Sequence, residues 1–238
     1  MAFFPAIAGN AEAFTNMLAN YPEEFLAFFG MNTSLPIMSV LGFFGLTYSF
    51  ILVPVAIQAS NYGFHMLSVE ERELTADFLL SKPVSRSKIL ISKFSAAVVS
   101  LIIVNISIWI ASIVALTLFK GDELVVLNNV YILLSSLIIF QLFFVSVGML
   151  ISVLLKKISS VLSFSMALGF GMYILSSLGS LFSSNFFKYL SPYSQFDYGK
   201  ILVEGKYDIV ATSISVLVIV LSLTASYFLY LKRNIHSL

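Results

Sequence analysis

The chain has 238 residues, a formal net charge of +1, no cysteine and 59% hydrophobic residues, with a mean hydropathy of +0.97. Only 11% of residues are charged, against about 25% in a typical soluble domain, which argues against a water-soluble globular domain and leaves no basic footprint for nucleic acid. Without cysteine, disulfides, zinc thiolate sites and thiol catalysis are excluded as well.

Residues 1–35 hold Glu12, Glu23 and Glu24 but no Lys or Arg, and the first positive side chain is Arg72. The opening "MAFFPAIAGNAEAF" therefore lacks the positively charged start of a secretory signal. A membrane-crossing helix needs about 20 mostly apolar residues. Five segments meet that length: about Pro36 to Ser60, Ile89 to Phe119 (broken by Lys93 near its start), Val130 to Leu155, Ser160 to Phe182, and Ile209 to Leu231. Between the last two, residues 183–208 mix aromatic with polar side chains, as interfacial segments do, and are expected to form short amphipathic or partly re-entrant helices. No internal repeat stands out. The fold class expected is a single all-α polytopic membrane domain over 1–238.

Basic residues collect on the cytoplasmic side of a membrane protein. Arg72, Lys82, Arg86, Lys88, Lys93, Lys156, Lys157, Lys232 and Arg233 fall on one side of this arrangement, and Lys120, Lys188, Lys200 and Lys206 on the other. Nine against four places Met1 outside and Leu238 inside. Residues 1–35 and 183–208 are then external, and 67–88 form a cytoplasmic loop in a plasma membrane.

That loop concentrates charge. Nine of the 24 residues from Glu70 to Lys93 are ionisable. Ser68 followed by Glu71 has capping-box spacing, which predicts a helix start. Glu70, Glu71 and Glu73 would favour the dipole of its first turn, Leu74, Phe78 and Leu79 would share an apolar face, and Pro83 would end it. Ser85 or Ser87 is then placed to cap the next span. Such a helix suits two roles: a surface loop resting on lipid headgroups, or a docking element for a cytosolic partner.

The string from Glu71 to Arg86, "ERELTADFLLSKPVSR", resembles the hallmark segment of ABC transporter permeases of the second, largely export-type class. That pattern runs roughly E-x-E-x-G-T-x-x-x-L-L-x-x-P-[VI]-S-R, with a Lys a few residues later. Glu71, Glu73, Thr75, Leu79, Leu80, Pro83, Val84, Ser85 and Arg86 match it, and Lys93 stands for the late Lys. Leu74 departs from the usual Gly. "FFPAIAGNAEAFTNMLANYPEEFLAFFG" and "YLSPYSQFDYGKILVEGKYD" are similar to external segments of one branch of that family. The resemblance implies a permease subunit, coupled to a separate ATPase subunit and joined to a second permease subunit, identical or similar. It implies a coupling helix in which Glu71, Glu73, Leu74, Thr75, Phe78 and Leu79 dock on the ATPase, while Pro83 and Arg86 shape the loop and anchor it at the membrane. Branch members have six spans with both ends cytoplasmic. The five here imply that the first is missing from this chain.

No G-x-x-x-x-G-K-[ST] phosphate loop exists. No cofactor is expected on this chain; ATP would bind the partner. The two histidines, His65 and His236, lack a metal-site partner at helical spacing, so an enzyme is not expected. The other reading left open is a non-transporting scaffold or immunity protein, which would need no ATPase. Asn105 and Gln141 are read as interhelical hydrogen-bonding residues, and Ser165, Ala167, Gly169 and Gly171 as positions of close helix approach, most simply within one subunit.

Overall fold

A computed structural model describes residues 1–29, 31, 35–73, 83–121, 123, 125–155, 157–182 and 185–232. Among them the secondary structure is helical, without strands. In chain order the helices are α1 (Phe4–Ala8), α2 (Ala11–Leu18), α3 (Glu23–Phe28), α4 (Val40–Arg72), α5 (Arg86–Phe119), α6 (Leu127–Leu154), α7 (Val161–Leu181), α8 (Asn185–Leu190), α9 (Pro192–Gln195), α10 (Tyr198–Glu204) and α11 (Ile209–Lys232). Among the described residues, α4, α5, α6, α7 and α11 are the five helices long and apolar enough to cross a membrane. The polytopic all-α class therefore holds.

Local chemistry sets the helix ends. Ser39 Oγ accepts from Gly42 N–H at 3.0 Å, and Glu123 Oε2 accepts from Val40 N–H at 3.0 Å, so two side chains cover the first turn of α4. Ser85 Oγ accepts from Lys88 N–H at 3.3 Å and caps α5 as the sequence indicates. Asp197 and Asp208 cap α10 and α11 through the N–H groups of Lys200 and Ala211, each at 3.1 Å. Gly205, at φ 64°, closes α10 in the left-handed conformation that glycine tolerates best.

One expected boundary is wrong. The first span was expected to stop near Ser60, with a new helix opening at Ser68, but α4 runs unbroken to Arg72. Ser68 is buried inside it, and its hydroxyl donates to Phe64 O at 2.7 Å instead of capping. The stretch after Ser60 lacks proline, and its Phe64, Met66 and Leu67 stay buried. The apolar face thus carries the helix past the polar signals. At 1.5 Å per residue a 33-residue helix is about 50 Å long, well beyond the ~30 Å of a hydrocarbon core.

The chain divides into two compact units. The first holds Met1–Val53, Asn105–Leu137 and Met172–Thr212; the second holds Pro54–Val104, Ile138–Gly171 and Ser213–Leu238.

In the first unit, side chains reach backbone carbonyls across the sequence. Tyr48 donates to Leu133 O at 3.2 Å, Asn129 Nδ2 to Leu202 O at 2.8 Å, Tyr173 to Phe28 O at 2.7 Å, and Ser191 Oγ to Met172 O at 2.8 Å. Tyr207 donates to Ile132 O. The expected short helices of 183–208 are present as α8 to α10, and they are partly buried: Ser191, Tyr193, Gln195, Phe196, Ile201 and Leu202 are all inaccessible. Gly45 of α4 faces the ring of Tyr198 so closely that a Cβ there would sit 2.1 Å from Cδ2.

In the second unit, helix backbones come together directly. A Cβ on Gly63 would lie 2.3 Å from Val145 O and 2.8 Å from Met149 N, and one on Gly148 would lie 3.0 Å from Ser60 O. Phe64, buried against Ile158 and Val161 with Phe164 and Leu168 beside them, fills the space where α4 meets the α6–α7 turn. Gly169 also presses on α4, with a Cβ placed 2.8 Å from Ile57 Cγ1. Of the small residues expected to allow close approach, Ser165 and Gly169 face the interior, whereas Ala167 is exposed and Gly171 has nothing within 4 Å. Gln141 is buried here, as Asn105 is in the first unit. Ser146, Ser165 and Ser226 return their hydroxyls to carbonyls of their own helices, on Phe143, Val161 and Ser222, at 2.9, 2.7 and 2.6 Å.

Candidate functional site

The charged segment lies between α4 and α5, both of which belong to the second unit at this end. Glu71 lies in the last turn of α4. Glu73 follows it, exposed, with its N–H donated to Val69 O at 2.9 Å. Leu74, Thr75, Phe78 and Leu79 lie outside the described residues, as does most of the helix expected over them. Pro83 is exposed ahead of α5, and Arg86 is the first residue of α5, half-buried. The start of α5 at Arg86 is marked by Ser85, whose side chain accepts from Lys88 N–H.

The sequence reading missed how the base of this segment is held. Lys93, in the third turn of α5, donates to Met66 O at 2.6 Å and forms an ion pair with Glu70 of α4. The side chains of Lys93 and Glu70 keep only 21% and 18% of their surface exposed. Ser87 in the first turn of α5 shares a hydrogen bond of 3.1 Å with Tyr227 of α11. On α4, Phe64 O accepts from Ser152 Oγ of α6 at 3.2 Å. The ends of the segment are thus tied to each other, to α6 and to α11. The only forewarning in the sequence was a single lysine interrupting an apolar run. Its partner lies 23 positions away across a loop, a separation with no local signature.

Metal-ligating clusters are lacking among the described residues. No group of three or more His, Cys, Asp or Glu there is placed to hold a metal ion, and His65 is exposed on α4. Among the described residues an open, mainly apolar depression lies at the α5–α6 connection, lined by Phe4, Pro5, Phe119, Lys120 and Glu123 among others. Its Glu123 is already engaged in capping α4.

A family model described as ABC-2 family transporter protein matches residues 2–235. Neither a curated protein nor a solved structure matches the chain. With nearly its whole length matched, the chain belongs to the ABC-2 transporter family: it is a multi-pass membrane protein and a permease subunit of an ABC transporter.

Proposed function

We propose that this permease subunit works as an exporter driven by a separate ABC ATPase, and that the segment from Glu70 to Arg86 is where the ATPase docks. The observation that carries the reading is the charged, motif-bearing segment between two long spans of a chain matched by the family model over 2–235. Of the proposed docking residues, Leu74, Thr75, Phe78 and Leu79 would contribute apolar and hydroxyl side chains, and Glu71 and Glu73 negative charge. Pro83 and Arg86 shape the return to the membrane. The nine-to-four distribution of basic residues supports a cytoplasmic position for this segment and for the C-terminus, with Met1 outside. A second permease subunit, identical or similar, completes the assembly, and ATP binds the ATPase alone.

Two experiments test this. The tagged chain is purified in mild detergent from its native membranes, and co-purifying proteins are identified by mass spectrometry. A stoichiometric ATPase, lost when Glu70 to Arg86 is scrambled in a chain that still inserts, is the expected result. A folded preparation with no ATPase would favour a scaffold or immunity role instead. In the second experiment, Glu71→Lys with Glu73→Lys is expected to reduce ATPase recovery at least about tenfold, since reversing charges at a complementary interface costs several kcal/mol. Unchanged recovery would remove these two residues from the docking surface.

A further inference from the structure

The docking reading gives roles to Glu71, Glu73 and Arg86 but none to Glu70 or Lys93. These two flank the proposed docking residues, Glu70 on α4 and Lys93 on α5, and their side chains face each other, mostly sheltered from solvent. Lys93 is additionally anchored on Met66 O at 2.6 Å, in the same turn region of α4 as Glu70. A charge pair sheltered to this degree is a poor source of stability, because desolvation offsets much of the attraction and an apolar pair of similar volume would serve as well or better. What such a pair does offer is register. It joins α4 to α5 at one position along their length and resists sliding by a turn, which apolar side chains permit.

The surroundings extend that register. Phe64, two residues before Met66 on α4, is held by Ser152 and by the cluster with Ile158 and Val161. Ser87, on α5 a turn and a half before Lys93, is held to Tyr227. Each span leaving the charged segment is therefore fixed to a further helix, and the Glu70–Lys93 pair fixes the two to each other.

We propose that Glu70 and Lys93 form a bolt: a positioning pair that makes α4 and α5 move as one body when the segment between them is displaced, and that stays closed throughout the cycle. The proposal rests on the coupling reading above and adds to it the residues that carry motion past the docking surface.

The absence of cysteine gives a clean background for the test. Glu70→Cys and Lys93→Cys are combined and treated with a short bis-thiosulfonate crosslinker, whose span replaces the two long side chains better than a disulfide, which needs Cα atoms within about 7 Å. Crosslinking in native membranes is read from loss of maleimide labelling. ATP turnover is read on the complex purified with its ATPase. The crosslinked chain is expected to turn over within about twofold of the unmodified complex, because the bolt never opens. Lys93→Glu is expected to lose about tenfold in turnover while the ATPase still co-purifies, and the reversal Glu70→Lys with Lys93→Glu to recover most of it, because a like-charge pair is repelled and a reversed pair is not. Where Lys93→Glu fails to insert, the uncharged pair Glu70→Gln with Lys93→Met takes its place, with insertion retained and turnover reduced.

Arrest by the crosslink overturns the proposal, since the pair would then have to open. So does wild-type turnover in Lys93→Glu or in the uncharged pair, or no recovery on reversal in an intact complex. Failure to crosslink in membranes overturns the pairing itself. A wild-type preparation that crosslinks but carries no ATPase refutes the coupling reading, and that result is distinct from the others.

Discussion

The two units solve the same problem, holding helices together, by different means. In the first, Tyr48, Asn129, Tyr173, Ser191 and Tyr207 reach across the sequence to main-chain carbonyls. In the second, glycines let main chains touch at Gly63 and Gly148, and one ion pair is added near the charged segment. Two of the accepting carbonyls, of Phe28 and Leu202, are in the last turns of short helices, where acceptors are left open. The other three are inside α6 and α7, where a side chain uses a carbonyl's second lone pair. The arrangement in the second unit suits continuous helices in lipid, where close main-chain approach supplies the dispersion that water exclusion does not. The difference teaches where each unit is vulnerable: side-chain bonds fail one at a time, whereas a backbone crossing tolerates no added atom.

The strongest way to break this comparison is Gly63→Leu. Its Cβ alone would meet Val145 O at 2.3 Å, and main-chain atoms on a packed helix have no rotamer to escape into. A loss of at least ~3 kcal/mol is expected, at or beyond the upper end of the usual overpacking cost, seen as loss of the monodisperse peak on size-exclusion chromatography. Gly171→Leu, in the same unit with open space around it, is expected to stay within about 0.5 kcal/mol of the parent. Equal damage from both would mean that the crossing is not what glycine serves.

A smaller effect sharpens the contrast in the first unit. Gly45→Ala would place its Cβ 2.1 Å from the Tyr198 ring, but here the obstacle is a side chain. A loss of about 2 kcal/mol is expected, much of it recovered in Gly45→Ala with Tyr198→Leu. The recovery is measured as a coupling energy in a double-mutant cycle of thermal unfolding. Additive losses would show that the ring is not the point of conflict.

The smallest effect at neutral pH concerns two tyrosines of the first unit outside the spans. Burial pushes the phenol of Tyr193 above its ordinary range, and Tyr173 nearby adds to the shift. Burial raises Tyr207 too, partly offset by the Ser135 hydroxyl. A raised folded-state value favours the protonated form in the folded protein. The stability linked to it is therefore complete below the ordinary tyrosine value of about 10 and is lost as pH rises beyond that toward the raised values. Unfolding temperature should be flat with respect to these groups from pH 7 to about 9 and decline above about 10. Tyr193→Phe should shallow the decline. A decline of the same steepness in Tyr193→Phe would assign it elsewhere.

Much of the fold was legible because lipid imposes a simple rule on composition. Of the five spans, the four after the first were read from apolar runs to within a few residues of their observed ends. The first went wrong at its far end because Ser68 and Glu71 have the spacing of a cap, and spacing cannot tell a hydroxyl that opens a helix from one that bonds back within it. Glycine on α7 was recognised by periodicity, yet Gly63 and Gly148 were not. Gly63 shares α4 with Gly42 and Gly45, Gly148 stands alone in α6, and only the crossing brings the two together. The charged segment was recognisable by motif, whereas the pairing of Glu70 with Lys93 belongs to tertiary structure. Ser85 acted as local chemistry predicts, because capping needs no distant partner.

The serine hydroxyls that bond back to Phe64, Phe143, Val161 and Ser222 bear on biosynthesis. A polar group entering lipid must be satisfied from within its own segment or wait for a neighbour. These serines are satisfied as soon as their helix forms, so each can leave the translocation machinery without help from spans that have yet to be made. Lys93 has no such recourse within α5. Its partners are on the helix synthesised before it, which makes α4 and α5 a hairpin in time as well as in sequence: the earlier helix is already there when the later one brings its charge to the membrane.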